Sequence, residues 1–178
     1  MRICAGEFKG RRLAYPKSGL RPTKDITRQA IFNSLGRNVV GARVCDLFAG
    51  GGAVGIEALS RGACEVIFVE KSMVVLQFLR RNVKGLEGAK VIRADVLRFL
   101  RKLAGADFDL VLADPPYRHS LVQQTLERVA ELDVLGANGR FVIEHHKLEL
   151  PVCPEGWEIV KQGRYGESWV SILRRYSE

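Results

Sequence analysis

Three observations predict an α/β protein built on a doubly wound, mostly parallel sheet of seven strands. From residue 42 onward, strand-length apolar runs alternate with stretches of helical spacing, the pattern that lays helices on both faces of a parallel sheet. The first of those runs feeds three adjacent glycines, Gly50-Gly51-Gly52, before helical spacing begins. The last two apolar runs have no helix between them, which makes them a terminal antiparallel hairpin.

Taken in order, Ile3 to Leu13 consists of short extended runs punctuated by Gly6 and Gly10, which predicts a small hairpin carrying cations on its turn and exposed face. Pro16 to Pro22 reads as a loop. Thr23 is the expected N-cap of a helix whose apolar positions Ile26, Ala30, Ile31 and Leu35 pack on the main domain, with Arg28 on its polar side and Gly36 as its stop. Strands follow at residues 43–48, 65–69, 90–93, 108–113 and 140–144, and helices at 53–61, 72–84, 96–103 and 120–132. Gly62 and Gly85 end the first two of these helices. The hairpin strands are 157–161 and 168–174, joined by the turn Gln162-Gly163-Arg164-Tyr165-Gly166.

The 178 residues, 47% of them hydrophobic, suffice for one full-sized domain with an appendage. The expected division is a basic N-terminal extension at residues 1–40 and a main domain at 41–178. Nine of the Lys and Arg residues fall in 1–40 against only Glu7 and Asp25, a local net charge of +7, whereas the remainder contributes +1 to the total of +8. A basic segment joined to a nearly neutral domain points to polyanion contact by the first and chemistry by the second. No apolar run is long enough to span a bilayer and Met1-Arg2-Ile3-Cys4 does not open a signal peptide, so a cytoplasmic location without membrane contact is expected. The four cysteines, Cys4, Cys45, Cys64 and Cys153, lack paired spacing and read as reduced, mostly buried thiols. No metal is expected, and His119, His145 and His146 read as surface or strand-end histidines.

Two loops carry the chemistry. Residues 50–55 satisfy G-x-G-x-x-G between a strand and a helix, and Glu70 ends the next strand, where a carboxylate can take ribose hydroxyls. That pair of features fits both NAD and S-adenosyl-L-methionine. Asp46 just before the loop, Asp95 after the third strand and Asp114-Pro115-Pro116-Tyr117 after the fourth favour the sulfonium cofactor, although Glu70 also suits a solvent-facing strand end and Asp95 an N-cap. The two prolines make the second loop stiff and leave it offering carbonyl oxygens rather than amides. Such a loop suits an exocyclic amine on a nucleobase. The Asp114 carboxylate and the Pro115 carbonyl accept its two N–H groups, Asp114 takes the released proton, and Tyr117 stacks on the extruded base. Neither a nucleophile elbow nor a Walker loop occurs.

With these motifs the chain resembles the RsmD-type methyltransferases, bacterial enzymes that methylate N2 of a guanine in small-subunit (16S) ribosomal RNA. The resemblance is carried by Asp46 to Ala63, by Asp114-Pro115-Pro116-Tyr117, by Arg21-Pro22-Thr23 with Arg28 and Phe32-Asn33, by Arg164-Tyr165-Gly166, and by an opening pattern of Arg2-Ile3, Ala5-Gly6, Gly10-Arg11 and Leu13. It implies a class I methyltransferase (Rossmann-like) fold, S-adenosyl-L-methionine as methyl donor, no metal, and ribosomal RNA, within the small subunit or its assembly intermediate, as partner; the sequence does not fix the oligomeric state, and a monomer is the default expectation. Carried over by position, it implies that Asp46, Phe48, Ala49, Gly50 and Gly52 hold the methionine half, Glu70 the ribose, Asp95 the adenine amine, and Asp114, Pro115 and Tyr117 the guanine. Arg2, Lys9, Arg11, Arg12, Arg21 and Arg28 are the candidates for RNA contact. The family's loop has serine where this chain has Gly51, a change expected to loosen the loop without removing a contact. Other readings open at this point are N6-methylation of adenine in DNA or RNA, a dehydrogenase, and a non-catalytic RNA-binding assembly factor.

Overall fold

In the computed structural model, which describes residues 1–16, 25–116, 120–166 and 168–176, strand β1 (Arg43–Leu47) lies inside the sheet with four of its five residues buried. On one side it pairs in parallel with β2 (Glu65–Glu70), which pairs with β3 (Ala89–Arg93); on the other it pairs in parallel with β4 (Phe108–Ala113), which pairs with β5 (Leu135–His146). Strand β7 (Ser168–Arg175) runs antiparallel to both β5 and β6 (Trp157–Tyr165), giving the order β3-β2-β1-β4-β5-β7-β6. The predicted seven-stranded α/β architecture is the one observed.

Period-two alternation sends each strand's side chains to two cores. On one face Val44, Phe68, Leu110, Leu112 and Val142 pack against α1 (Asp25–Leu35), α2 (Ala53–Ser60) and α3 (Met73–Val83) through Ile31, Phe32, Ile56, Leu59, Leu76 and Leu79. On the other, Cys45, Leu47, Val69, Val111, Phe141 and Ile143 meet α4 (Val96–Leu100) and α5 (Leu121–Glu131) through Leu100, Val122, Leu126 and Val129.

Several expectations shift in detail. Thr23 lies outside the described residues, so helix α1 is described from Asp25; past Gly36 the chain continues in a 3-10 turn, Gly36–Val39. The predicted helix over 96–103 is α4 followed by a 3-10 turn, Arg101–Leu103. β5 starts five residues earlier than predicted because Gly136, Asn138 and Gly139 form an irregular stretch within it. The register jumps from Phe108 opposite Leu135 to Leu110 opposite Arg140. The supposed turn at 162–166 is mostly strand, with pairing continuing to Tyr165 opposite Ser168. His145 stands at the end of β5 as expected but is not on the surface: it is fully buried, its Nδ1 3.0 Å from the His146 carbonyl and its Nε2 2.8 Å from Ser171 Oγ. Burial holds its pKa below the usual histidine value. Cys64, expected buried, is exposed, and all four thiols are free.

The N-terminal segment doubles back as the expected hairpin, closed by one antiparallel bridge, Arg2 opposite Arg12, and by the Ile3 amide donating to the Arg11 carbonyl. Ile3 and Leu13 enter the core beside α1 and α2. Glu57 of α2, fully buried, anchors the segment: its carboxylate accepts the amides of Cys4 (2.8 Å) and Ala5 (3.0 Å) and the Arg61 guanidinium (2.9 Å), with Arg28 Nε 4.0 Å away. Ser60 adds three bonds, its carbonyl accepting Glu7 N–H and its hydroxyl accepting Phe8 N–H while donating to the Ala5 carbonyl.

Replacing Glu57 by Gln turns one acceptor oxygen into a donor facing amides that need acceptors. It also strips the buried Arg28 of a counter-charge. Glu57→Gln is expected to lower stability by about 3 kcal/mol, read as a shifted urea midpoint with an unchanged denaturant slope.

Candidate active site

The parallel register aligns Leu47 of β1 with Val69 of β2 and Ala113 of β4, so the loops leaving these strands start at one level. The loop after β1 doubles back sharply, with positive φ at Phe48 (59°), Gly50 (55°) and Gly52 (85°). For Phe48 that conformation costs roughly 1–2 kcal/mol, offset by the bonds the turn makes. Ala49 N–H donates to the Val69 carbonyl and Gly52 N–H to the Ala49 carbonyl, at 3.0 and 2.8 Å. Glu70 braces the turn from the next strand: Oε2 accepts Gly50 N–H at 3.0 Å and Oε1 accepts Ser72 N–H at 2.7 Å. Asp46 Oδ2 accepts Gly55 N–H at 2.9 Å, and a Cβ at residue 55 would sit 2.8 Å from that oxygen and 2.3 Å from the Phe68 ring. Glycine there is a requirement of close approach.

Above the loop lies a cavity of about 540 Å³. Phe48, Gly50, Glu70, Asp95, Asp114 and Pro115, all singled out in the sequence, line it together. Asp46, Ala49 and Gly52 do not line it. Asp46 is buried beneath the loop, facing a small void shared with Asp114 and Glu144, and Gly52 is the N-cap of α2. Those positions shape the floor rather than the wall. Asp95 is also the N-cap of α4, accepting Arg98 N–H at 3.3 Å, so one residue both caps the helix and lines the cavity. Tyr117 and Arg21 lie outside the described residues.

Sequence reasoning missed Tyr15, Lys71, Glu144 and Ser168, which also line the cavity. Lys71 and Glu144 were legible as strand-end residues. Nothing local marks Tyr15 or Ser168, which arrive from the N-terminal segment and the terminal hairpin.

Of the residues expected to touch RNA, Arg2, Lys9 and Arg12 are exposed. Arg11 is partly spent inside the protein, its guanidinium donating to the Asn82 carbonyl (2.9 Å) at the end of α3. Arg28 is a correction: it is fully buried, not on the polar side of its helix, and its guanidinium bonds the Arg2 carbonyl at 2.6 Å and Asp25 at 2.9 Å. Packing of α1 against α2 turns that position inward, toward Glu57. Among the described residues no cluster of His, Cys, Asp and Glu forms a metal site, and no helix is long and apolar enough to cross a membrane.

The charged lining discriminates between ligands. Among the described residues four carboxylates, Glu70, Asp95, Asp114 and Glu144, line the cavity against one lysine, Lys71, a balance that disfavours a diphosphate and favours a ligand bearing cations. Both Glu70 oxygens keep a lone pair for a ribose diol after accepting the two amides, since an ionised carboxylate has about four acceptor sites. An adenosine joined to methionine through a sulfonium fits on size and charge. Strand order, switch-point cavity and acidic lining together define a class I S-adenosylmethionine-dependent methyltransferase.

A family model described as Conserved hypothetical protein 95 matches residues 1–174. Ribosomal RNA small subunit methyltransferase D of Escherichia coli (strain K12) is 32% identical, with 100% of this chain and 91% of the relative covered. The protein of the same name from Haemophilus influenzae is 36% identical, over 93% of this chain and 89% of that one. The solved yhhF of Escherichia coli superposes with a TM-score of 0.87 at 31% identity, covering 100% of this chain and 99% of that one. The chain belongs to this family, the RsmD family of methyltransferases.

Burial pushes the Asp46 carboxyl up from 3.8 to about 7, with Glu70 nearby adding to the rise and the Gly55 amide opposing it. Between those values the folded protein holds a proton that the unfolded chain has released, so stability falls as pH rises through this window and levels off above it. Asp46→Asn removes that fall. The melting temperature of the variant minus that of wild type is expected to increase from pH 3.8 to about 7 and then stay constant; a difference independent of pH would show Asp46 ionised throughout.

Proposed function

We propose that this chain methylates the exocyclic N2 amine of a guanine in small-subunit ribosomal RNA, using S-adenosyl-L-methionine. The observation that carries the reading is the convergence on one cavity of the glycine loop braced by Glu70 and of the stiff Asp114-Pro115-Pro116 loop. The names of the curated relatives, small-subunit ribosomal RNA methyltransferases over nearly the whole chain, support the substrate class.

S-adenosylmethionine, when bound, would supply a methyl carbon for attack by a nitrogen lone pair, the C–S bond breaking and the neutral thioether S-adenosylhomocysteine leaving. The chain's own task is to present that lone pair. A guanine amine is a weak nucleophile because its electrons are delocalised into the ring. Acceptance of its two N–H bonds by the Asp114 carboxylate and the Pro115 carbonyl turns the remaining lone pair toward the methyl. As the N–C bond forms, Asp114 takes the proton that the nitrogen must lose. The acceleration rests on orientation, which the prolines secure by restricting backbone rotation. Tyr117 supplies the stacking surface for the base. Residues 1–40 act as the phosphate-gripping extension of the catalytic domain at 41–178, with Arg2, Lys9 and Arg12 outermost.

Incubating the protein with methyl-labelled S-adenosylmethionine and undermodified small subunits, or their free RNA, is expected to yield N2-methylguanosine on nucleoside analysis. N6-methyladenosine would shift the substrate to adenine, and cofactor binding without transfer would make the chain a binding factor. Asp114→Ala is expected to lower transfer by about a hundredfold or more while S-adenosylhomocysteine still binds. Replacing Arg2, Lys9 and Arg12 together by Ala is expected to reduce the slope of log affinity for RNA against log salt by about 2. An unchanged slope would remove these cations from the interface.

A further inference from the structure

We infer that Tyr15, brought from the N-terminal segment, is a cofactor-contacting residue, and that Gly51 is glycine because the tyrosine ring occupies the place of its side chain. The inference rests on the cavity being the site of S-adenosylmethionine.

Three observations carry it. Tyr15 lines the cavity directly beside the glycine loop. A Cβ built on Gly51 would fall 2.3 Å from Tyr15 Cε1, 2.7 Å from Cζ and 2.9 Å from Cδ1, a full overlap with the ring. Gly51 itself is buried and has no positive φ, so no backbone strain calls for glycine here, and the three atoms nearest to the missing Cβ all belong to the ring. The expectation of a loosened loop is thereby reversed: the missing side chain is replaced by a larger one from elsewhere in the chain.

The ring is held by a clasp. Asn82, buried at the end of α3, donates to the carbonyls of both Ala14 (2.9 Å) and Gly51 (2.8 Å) and accepts the Ala14 amide (2.8 Å). One side chain thus ties residue 14 to residue 51 and fixes the approach of residue 15. The Tyr15 hydroxyl points to Met1 Sδ, 3.2 Å away, which leaves the ring rather than the hydroxyl as the group offered to a ligand. An aromatic wall beside a cation-bearing ligand gives both apolar contact and attraction to the ring face. The basic segment and the cofactor therefore share a surface.

The test is calorimetric titration of S-adenosylhomocysteine and S-adenosylmethionine into the full chain and four variants, at a temperature where melting curves show all of them folded. Tyr15→Ala is expected to weaken binding about tenfold, and Tyr15→Phe to leave it within about twofold of wild type. Gly51→Ala, by displacing the ring, is expected to weaken binding at least as much as Tyr15→Ala. The double variant is expected to bind no worse than Tyr15→Ala alone, since there is no ring left to displace. Unchanged affinity in Tyr15→Ala, or additive losses in the double variant, would overturn the inference while leaving the cavity assignment intact. Failure of wild type to bind either compound would overturn the cavity assignment and the inference with it.

Discussion

The site depends on one constraint of sheet geometry: β1 must lie between β2 and β4, parallel to both. Parallel pairing in this register brings the carboxyl ends of three strands level, and the chain leaves β1 and β4 toward opposite faces of the sheet. The crevice that opens between those departures is where α/β sheets bind ligands. Glu70 reaches the glycine loop only because β2 ends beside it, and Asp114 shares their cavity only because β4 ends on the other side. A slip of one residue in β4 would send Asp114 to the other face.

Two buried acids show how differently the protein treats charge. Glu57 sits among two backbone amides and the guanidinium of Arg61, with that of Arg28 close by. Its carboxylate is fully compensated and works as an anchor for the N-terminal segment. Asp46 has a single amide donor and the acidic Glu70 nearby, so desolvation dominates and its carboxyl pKa rises to about 7. A buried side-chain carboxylate is an anchor in one place and a titrating group near neutrality in the other. The number of donors decides which.

The N-terminal segment, which its composition marks as a cationic surface, is also structural. Ile3 and Leu13 enter the core, Arg28 turns inward to the Arg2 carbonyl, Asp25 and the neighbourhood of Glu57, and Arg11 bonds a carbonyl at the end of α3. Three exposed cations, Arg2, Lys9 and Arg12, remain for a polyanion among the described candidates. Arginine serves both uses because its guanidinium has five donors and keeps its charge when buried. Charge counting along a sequence does not separate them.

What the sequence determined by itself is the part written in local pattern. Apolar runs and helical spacing located every sheet strand and helix, missing only the start of β5 and the end of β6 by more than a few residues, and the two chemical loops declared themselves by composition: glycines where the backbone turns back on itself, prolines where it must be stiff. Where local signals pointed the wrong way, as with residues 162–165 in β6, pairing with a neighbouring strand overrode them, whereas Gly136 and Gly139 sit in a register jump that β5 carries within itself. The orientation of Arg28, the burial of His145 against Ser171, the placing of Asp46 below the cavity, and the meeting of Tyr15 with Gly51 were decided only by tertiary structure. Each joins residues distant in sequence or depends on which way a packed element faces, and neither leaves a periodic trace in the chain. Local backbone preference acts over a few residues, whereas side-chain environment is set by whatever the fold brings alongside.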